Sequence, residues 1–166
     1  MSATYANKVV VAGFGSEYRH DDGVGPIVAE RAVAEIPLSN NVGPLSDPLD
    51  LLGVWNNAEL VIVVDAVNSG APVGTVQMLE VDVGGVSQFE FDAEPVASLS
   101  STHGIGLAGV LRLARALGQA PRRLVVVGIE GERFDLGPGL SELVESATNE
   151  AVRQVVNLIR EAERCA

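Results

Sequence analysis

The side chains in this sequence best suited to chemistry are the adjacent acids Asp21 and Asp22, the acid Asp65, and His103. Two carboxylate oxygens and one imidazole nitrogen suit a borderline divalent cation such as zinc or nickel and leave open positions for water or substrate. Without a metal, the same acids could share a proton, one serving as general base for attack of water on a carbonyl. The residues alone leave both chemistries open. Each group also has a plainer role. Asp21 or Asp22 would cap a helix and answer its dipole, worth roughly 0.3 to 2 kcal/mol. Asp65 would form a strand-end turn, although an acid directly after Val61-Ile62-Val63-Val64 sits where burial is expensive unless it is paired or ligated. His103 would pack at a helix start. His20 precedes the acids in a loop and reads as solvated.

What weighs these residues together is where the elements must place them. Lys8 to Phe14, Leu60 to Val67 and Leu124 to Ile129 are short, valine-rich and nearly continuous apolar runs, the pattern of parallel strands buried on both faces. Asp65 closes a run of apolar residues within the second. Val24, Ile27, Val28, Ala32 and Ile36 repeat at helical spacing, as do Leu107, Val110, Leu111 and Ala114, and later Val144, Ala151, Val152, Val155 and Ile159. A shorter helix is expected from Asp47 to Trp55, with Asp47 as N-cap and Pro48 in the first turn. Gly74 to Val81 alternates, as an edge or antiparallel strand does, and Asp82 to Ser101 reads as a long surface loop with room for one more short strand. The fold class expected is α/β: a three-layer sandwich, a mainly parallel twisted sheet with helices on both faces, in one domain spanning residues 1–166. In such sheets ligands gather at the carboxyl ends of the strands, where all three polar groups fall.

The chain has 166 residues, of which 47% are hydrophobic, enough to bury a sizeable core without staples. Its formal net charge of -11 opposes non-specific binding to nucleic acid or to an anionic membrane and accommodates a basic partner patch or a bound cation. The single cysteine, Cys165, allows neither an internal disulfide nor a cysteine-based zinc site. No signal-peptide pattern opens the sequence and no apolar run approaches the roughly 20 residues needed to span a bilayer, so a cytoplasmic setting is expected. Gly13-Phe14-Gly15 lacks the third glycine of a dinucleotide fingerprint, Tyr18 standing there. A phospho-acceptor receiver pocket needs a lysine late in the sheet, and Lys8 is the only lysine. Gly-x-Ser-x-Gly is absent, so a serine-hydrolase mechanism has no carrier.

The residues resemble those of the hydrogenase maturation proteases. That family opens with a strand, Gly-x-Gly-Asn, a spacer and Asp-Asp-Gly-x-Gly or a close variant, and Gly13 to Gly25 is similar to that segment. Val64-Asp65-Ala66 is similar to its second acidic position, and Ser101 to Leu107 to its Ser-x-His-x-x-Gly-Leu. Val127-Gly128-Ile129-Glu130, followed by Gly137-Pro138-Gly139-Leu140-Ser141 and a closing helix, is a fourth match in order. The resemblance implies a cytoplasmic endopeptidase that makes one cut near the C-terminus of a hydrogenase large-subunit precursor. It implies that Asp22, Asp65 and His103 are the catalytic and metal-contacting residues, with Asp21 the less decisive member of its pair. It also implies that nickel is presented by the substrate, with zinc or cadmium able to substitute at the site. Two departures stand out. Ser16 replaces the usual asparagine, and Val42 to Asp47 replaces an Asp-Gly-Gly-Thr-like loop. Two other functions fit the same residues. One is a non-proteolytic metal-sensing or chaperone-like binding protein, which the altered loop favours; the other is an unrelated α/β hydrolase working with a carboxylate dyad.

Overall fold

The structure is a computed structural model that describes residues 9–36, 40–41, 45, 47–56, 58–83 and 102–165, with the backbone alone at 40–41 and 102–105. Its strands are β1 (Val9–Gly13), β2 (Asn40–Asn41), β3 (Leu60–Val67), β4 (Val76–Val81) and β5 (Leu124–Glu130), and its α-helices are α1 (Val24–Glu35), α2 (Thr102–Ala116) and α3 (Glu142–Arg164). Among the described residues the strands form one five-stranded sheet in the order β2-β1-β3-β5-β4. All neighbours are parallel except β4, which pairs antiparallel with β5 at one edge. The α/β sandwich expected from the sequence is thus the observed architecture.

The apolar runs become strands because every residue of β1, β3 and β5 is buried. The two-residue period of a strand then divides their side chains between two cores. Val9, Val11, Leu60, Ile62, Val64, Val125 and Val127 pack against α1 and α3. Val10, Ala12, Val61, Val63, Val67, Leu124 and Val126 pack against α2 and the 3₁₀ helix Pro48–Gly53. Asp65 lies in phase with the second set, so it faces the α2 layer. It does not close its strand as expected, because β3 continues through Ala66 and Val67.

The element expected over Asp47 to Trp55 is a 3₁₀ helix. Asp47 caps it as anticipated, its carboxylate accepting the Leu49 N–H at 2.9 Å. The stripe Val144, Ala151, Val152, Val155, Ile159 is the buried face of α3. Gly74 to Val81 yields the antiparallel edge strand. The two-residue β2 was not anticipated. The loop expected over Asp82 to Ser101 lies outside the described residues beyond Val83, as does the altered loop of Val42 to Asp47 apart from Leu45 and Asp47. Among the described residues no helix is long and apolar enough to cross a membrane.

Candidate functional site

At the carboxyl end of the sheet the chain leaves β1 through Phe14, whose N–H donates to the Val64 carbonyl of β3 at 2.9 Å. Leu45 joins there, its N–H on the Gly13 carbonyl and its carbonyl taking the Gly15 N–H. Gly15 then turns with φ of +122°, and a Cβ on it would stand 1.9 Å from the Asp22 carbonyl oxygen. Only glycine lets the Asp22 backbone settle so close. The acids lie on a 3₁₀ turn, His20–Gly23, that packs against β3 and leads directly into α1. Gly25 at the start of α1 approaches until an added Cβ would be 2.4 Å from the Phe14 oxygen and 2.5 Å from that of Val64. Asp22 is therefore held over the end of β1, near Val64 within β3, the residue that Asp65 directly follows.

Asp22 is half-buried. Its Oδ2 accepts the Ser16 N–H at 2.8 Å. The Ser16 hydroxyl stays within the turn, accepting the Tyr18 N–H at 3.3 Å, so the residue standing in for asparagine meets Asp22 through its main chain. Asp65 is 4% exposed. His103 lies in the first turn of α2, and its side chain is outside the described residues. It opens the helix that covers the Asp65 side of the sheet. Gly106, one turn on, lies so near the 3₁₀ helix that a Cβ there would be 2.9 Å from Pro48 Cγ, and that helix follows Leu45 closely in the chain. Asp22 and Asp65 thus come to one sheet edge, with the start of α2 over the face that Asp65 points to. Among the described residues no three histidine, cysteine, aspartate or glutamate side chains gather as a metal set, and the His103 imidazole is not among those residues.

Asp21 and His20 take roles that the sequence did not reveal. Neither acid caps α1, whose N-cap is Gly23 with no side-chain bond. Asp21 is completely buried and turns the other way, onto the segment between β5 and α3. Its Oδ2 accepts the N–H groups of Glu132 and Arg133, both at 2.9 Å. Its Oδ1 accepts the Ser141 N–H at 2.7 Å, and the Ser141 hydroxyl donates to the carboxylate at 2.8 Å. Burial pushes the Asp21 carboxyl up, but the bonds from Glu132, Ser141 and Arg133 together outweigh it and hold the group below its ordinary value.

His20, expected to be solvated, is only 8% exposed and has a φ of +47°. The Gly139 carbonyl, 3.1 Å from Nδ1, can only accept, so Nδ1 carries the hydrogen. Nε2 then accepts from the Arg133 guanidinium at 3.0 Å. A third buried carboxylate, Glu130 at the end of β5, fastens the turn after β3 by accepting the Ser69 N–H and hydroxyl and the Gly70 N–H. The motif ending in Glu130 stood out in the sequence, but its partner some 60 residues earlier had no local signal.

A mainly parallel sheet covered by helices on both faces defines an α/β protein of the class in which ligands gather at the carboxyl ends of the strands. Comparison with known proteins narrows this class. A family profile described as hydrogenase maturation protease (HycI) matches residues 46–158, which include Asp65 and His103 and begin after Asp22. The chain belongs to the hydrogenase maturation protease family and is a peptidase. It is 29% identical over 163 residues to the hydrogenase 2 maturation protease of Escherichia coli K12, covering 93% of this chain and 92% of that one. Its fold is similar to the hydrogenase maturating endopeptidase HybD from E. coli, with a TM-score of 0.76, 26% identity and 93% of each chain covered. It is also similar to the NiFe hydrogenase maturation protease HybD from Thermococcus kodakarensis, with a TM-score of 0.73, 25% identity, and 91% of this chain and 98% of that one covered.

Proposed function

We propose that this peptidase removes the C-terminal extension of a nickel-loaded hydrogenase large-subunit precursor, with Asp22, Asp65 and His103 facing the substrate's nickel. The observation that supports the reading is the convergence of Asp22 and Asp65, 43 positions apart in the sequence, at one carboxyl edge of the sheet in a chain of this family. The donor chemistry fits a divalent ion of borderline softness, since two carboxylates and a neutral imidazole offer three ligands and leave positions open for groups from the precursor. Held by these residues, such an ion would supply Lewis acidity toward a carbonyl. Zinc or cadmium can take the same place. A carboxylate oxygen of the pair not engaged with the ion would accept the proton released as water attacks the scissile carbonyl and pass it to the amine that leaves as the C–N bond breaks. The glycine-lined turn Gly13 to Gly25 brings the Asp22 backbone within reach of β3.

Incubation of the protein with nickel-loaded precursor, followed by intact-mass measurement, tests the activity. One C-terminal truncation that requires nickel in the precursor is expected; an uncut precursor refutes the reading. Calorimetric titration with zinc tests the ligands separately. Replacing His103 by alanine should weaken binding, and an unchanged isotherm removes His103 from the set.

A further inference from the structure

We propose that Asp21 is a positioning residue for Asp22: its carboxylate ties the His20–Gly23 turn to the segment 131–141 and so fixes where the Asp22 carboxylate stands. The proposal rests on the reading of Asp22 as a metal-facing ligand. Asp21 is bound to that segment in both directions, because its carboxylate takes the Arg133 N–H while its own N–H donates to the Arg133 carbonyl at 2.9 Å. The residues beside it are fastened to the same segment. The His20 N–H donates to the Gly137 carbonyl at 2.9 Å, and the Gly137 N–H to that of Tyr18 at 2.8 Å. The Ser141 hydroxyl serves the clasp too, since Ser141 stands at the N-cap of α3 without making a side-chain cap bond.

None of these bonds is needed to start α1, which begins without a side-chain cap. Their effect falls on the neighbour. Consecutive Cα atoms are held about 3.8 Å apart by a rigid peptide, so a shift of Asp21 moves the Asp22 backbone with it. Against that movement the described residues offer the Asp22 side chain one hydrogen bond, from Ser16. Metal ligands tolerate errors of about 0.2 Å in distance, and a misplacement of about 1 Å can cost about 10²-fold in rate. A clasp that joins the end of β5, the start of α3 and the turn before α1 supplies positional control of that order.

The test compares four variants for processing of nickel-loaded precursor, with kcat and KM resolved, for zinc affinity by calorimetry, and for thermal midpoint. Asp21→Asn keeps the shape but turns a donor amide toward N–H groups. It should lower kcat about 10- to 100-fold with KM within about twofold, and weaken zinc binding about tenfold. Gly131→Ala perturbs the clasp without touching its charge, since the new Cβ would lie 3.0 Å from Asp21 Cβ and 2.8 Å from the Phe134 ring. It should move kcat and zinc affinity in the same direction by less. Val155→Ala, a cavity in the α1–α3 layer, should lower the midpoint and leave both unchanged. An Asp21→Asn protein with lowered midpoint but wild-type kcat and zinc affinity overturns the proposal, leaving Asp21 a purely structural anchor. If that variant does not fold, Gly131→Ala decides by the same criterion. Full activity in Asp22→Asn would instead strike the underlying reading of the site, an outcome distinct from either.

Discussion

Asp21 and Asp22 are adjacent in sequence and opposite in environment. Asp21 is wholly buried and collects three N–H groups and a hydroxyl from residues 111 to 120 positions away. Asp22 is half-buried and takes one N–H from the turn it belongs to. Glu130 resembles Asp21 in this respect, accepting two N–H groups and a hydroxyl. A carboxylate saturated with donors is stabilised in place as an anion and has little capacity left for a ligand or a proton. One with lone pairs to spare can bind a cation or serve as a base. The number of donors each receives therefore separates Asp21, an anchor, from its neighbour Asp22, a candidate for chemistry.

The largest effect should fall on the carboxylates proposed to face the metal. Asp22→Asn and Asp65→Asn each remove the charge that a divalent ion or general base requires, and we expect precursor processing to fall by about 10² to 10⁴ in initial rate. Circular dichroism should stay native. Retained activity in both variants would break the comparison, because the edge would then hold no working carboxylate. Asp21→Asn should do the reverse in stability, costing about 2 to 4 kcal/mol in urea unfolding, since a charge-assisted network is lost and N–H groups are left facing a donor. That is more than the loss of a local helix cap, about 0.5 to 2 kcal/mol, which the sequence suggested for this residue. A cost below about 1 kcal/mol would mean the clasp is dispensable.

Acid titration sharpens the same contrast. The Asp21 carboxyl is held below its ordinary value of 3.8 in the folded protein, so the unfolded chain takes up its proton first. Its stabilisation is then complete above about pH 5 and is lost as the pH falls below 3.8 and through the folded value. The stability gap between wild type and Asp21→Asn should therefore be constant from about pH 6 to about pH 5 and narrow steadily toward about pH 2.5. Urea midpoints at a series of pH values measure it. A gap that widens on acidification has the wrong sign for a carboxyl with a depressed pKa.

What could be read from the sequence was whatever is encoded locally. The valine runs of β1, β3 and β5 are legible because strands buried on both faces need no alternation, and the Asp47-Pro48 start is legible because capping acts over two or three residues. Asp65 stood out because an acid after four apolar residues is costly wherever it lies, although its place inside β3 rather than at the end depended on pairing with Gly128 of β5. The Asp21 clasp was not legible. Its donors are mostly main-chain N–H groups, which every residue carries, and its one side-chain donor, Ser141, looks like an ordinary helix cap. His20 was misread for the same reason, since a histidine in a polar loop is buried only when a distant segment folds over it.

The smallest effect expected lies at the sheet margin, where a carboxylate is well bonded yet exposed. Glu80 on β4 receives two bonds from Arg123, which precedes β5: Nε to Oε1 at 2.8 Å and Nη2 to Oε2 at 3.2 Å. The Arg123 bonds hold the Glu80 carboxyl below its ordinary value despite some opposing burial, the same direction as for Asp21. The side chains, however, are 57% and 41% exposed. Water competes for both partners and salt screens them, so an exposed pair of good geometry contributes only about 0.2 to 1 kcal/mol. Glu80→Gln should therefore lower the unfolding free energy by no more than about 1 kcal/mol, and roughly 0.5 M salt should reduce the difference further, whereas the Asp21→Asn deficit should persist in salt because its network is buried. If Glu80→Gln costs as much as Asp21→Asn, burial does not set the strength of a carboxylate anchor in this protein. If the Asp21→Asn deficit fades in salt as well, the clasp is more open to solvent than its burial indicates.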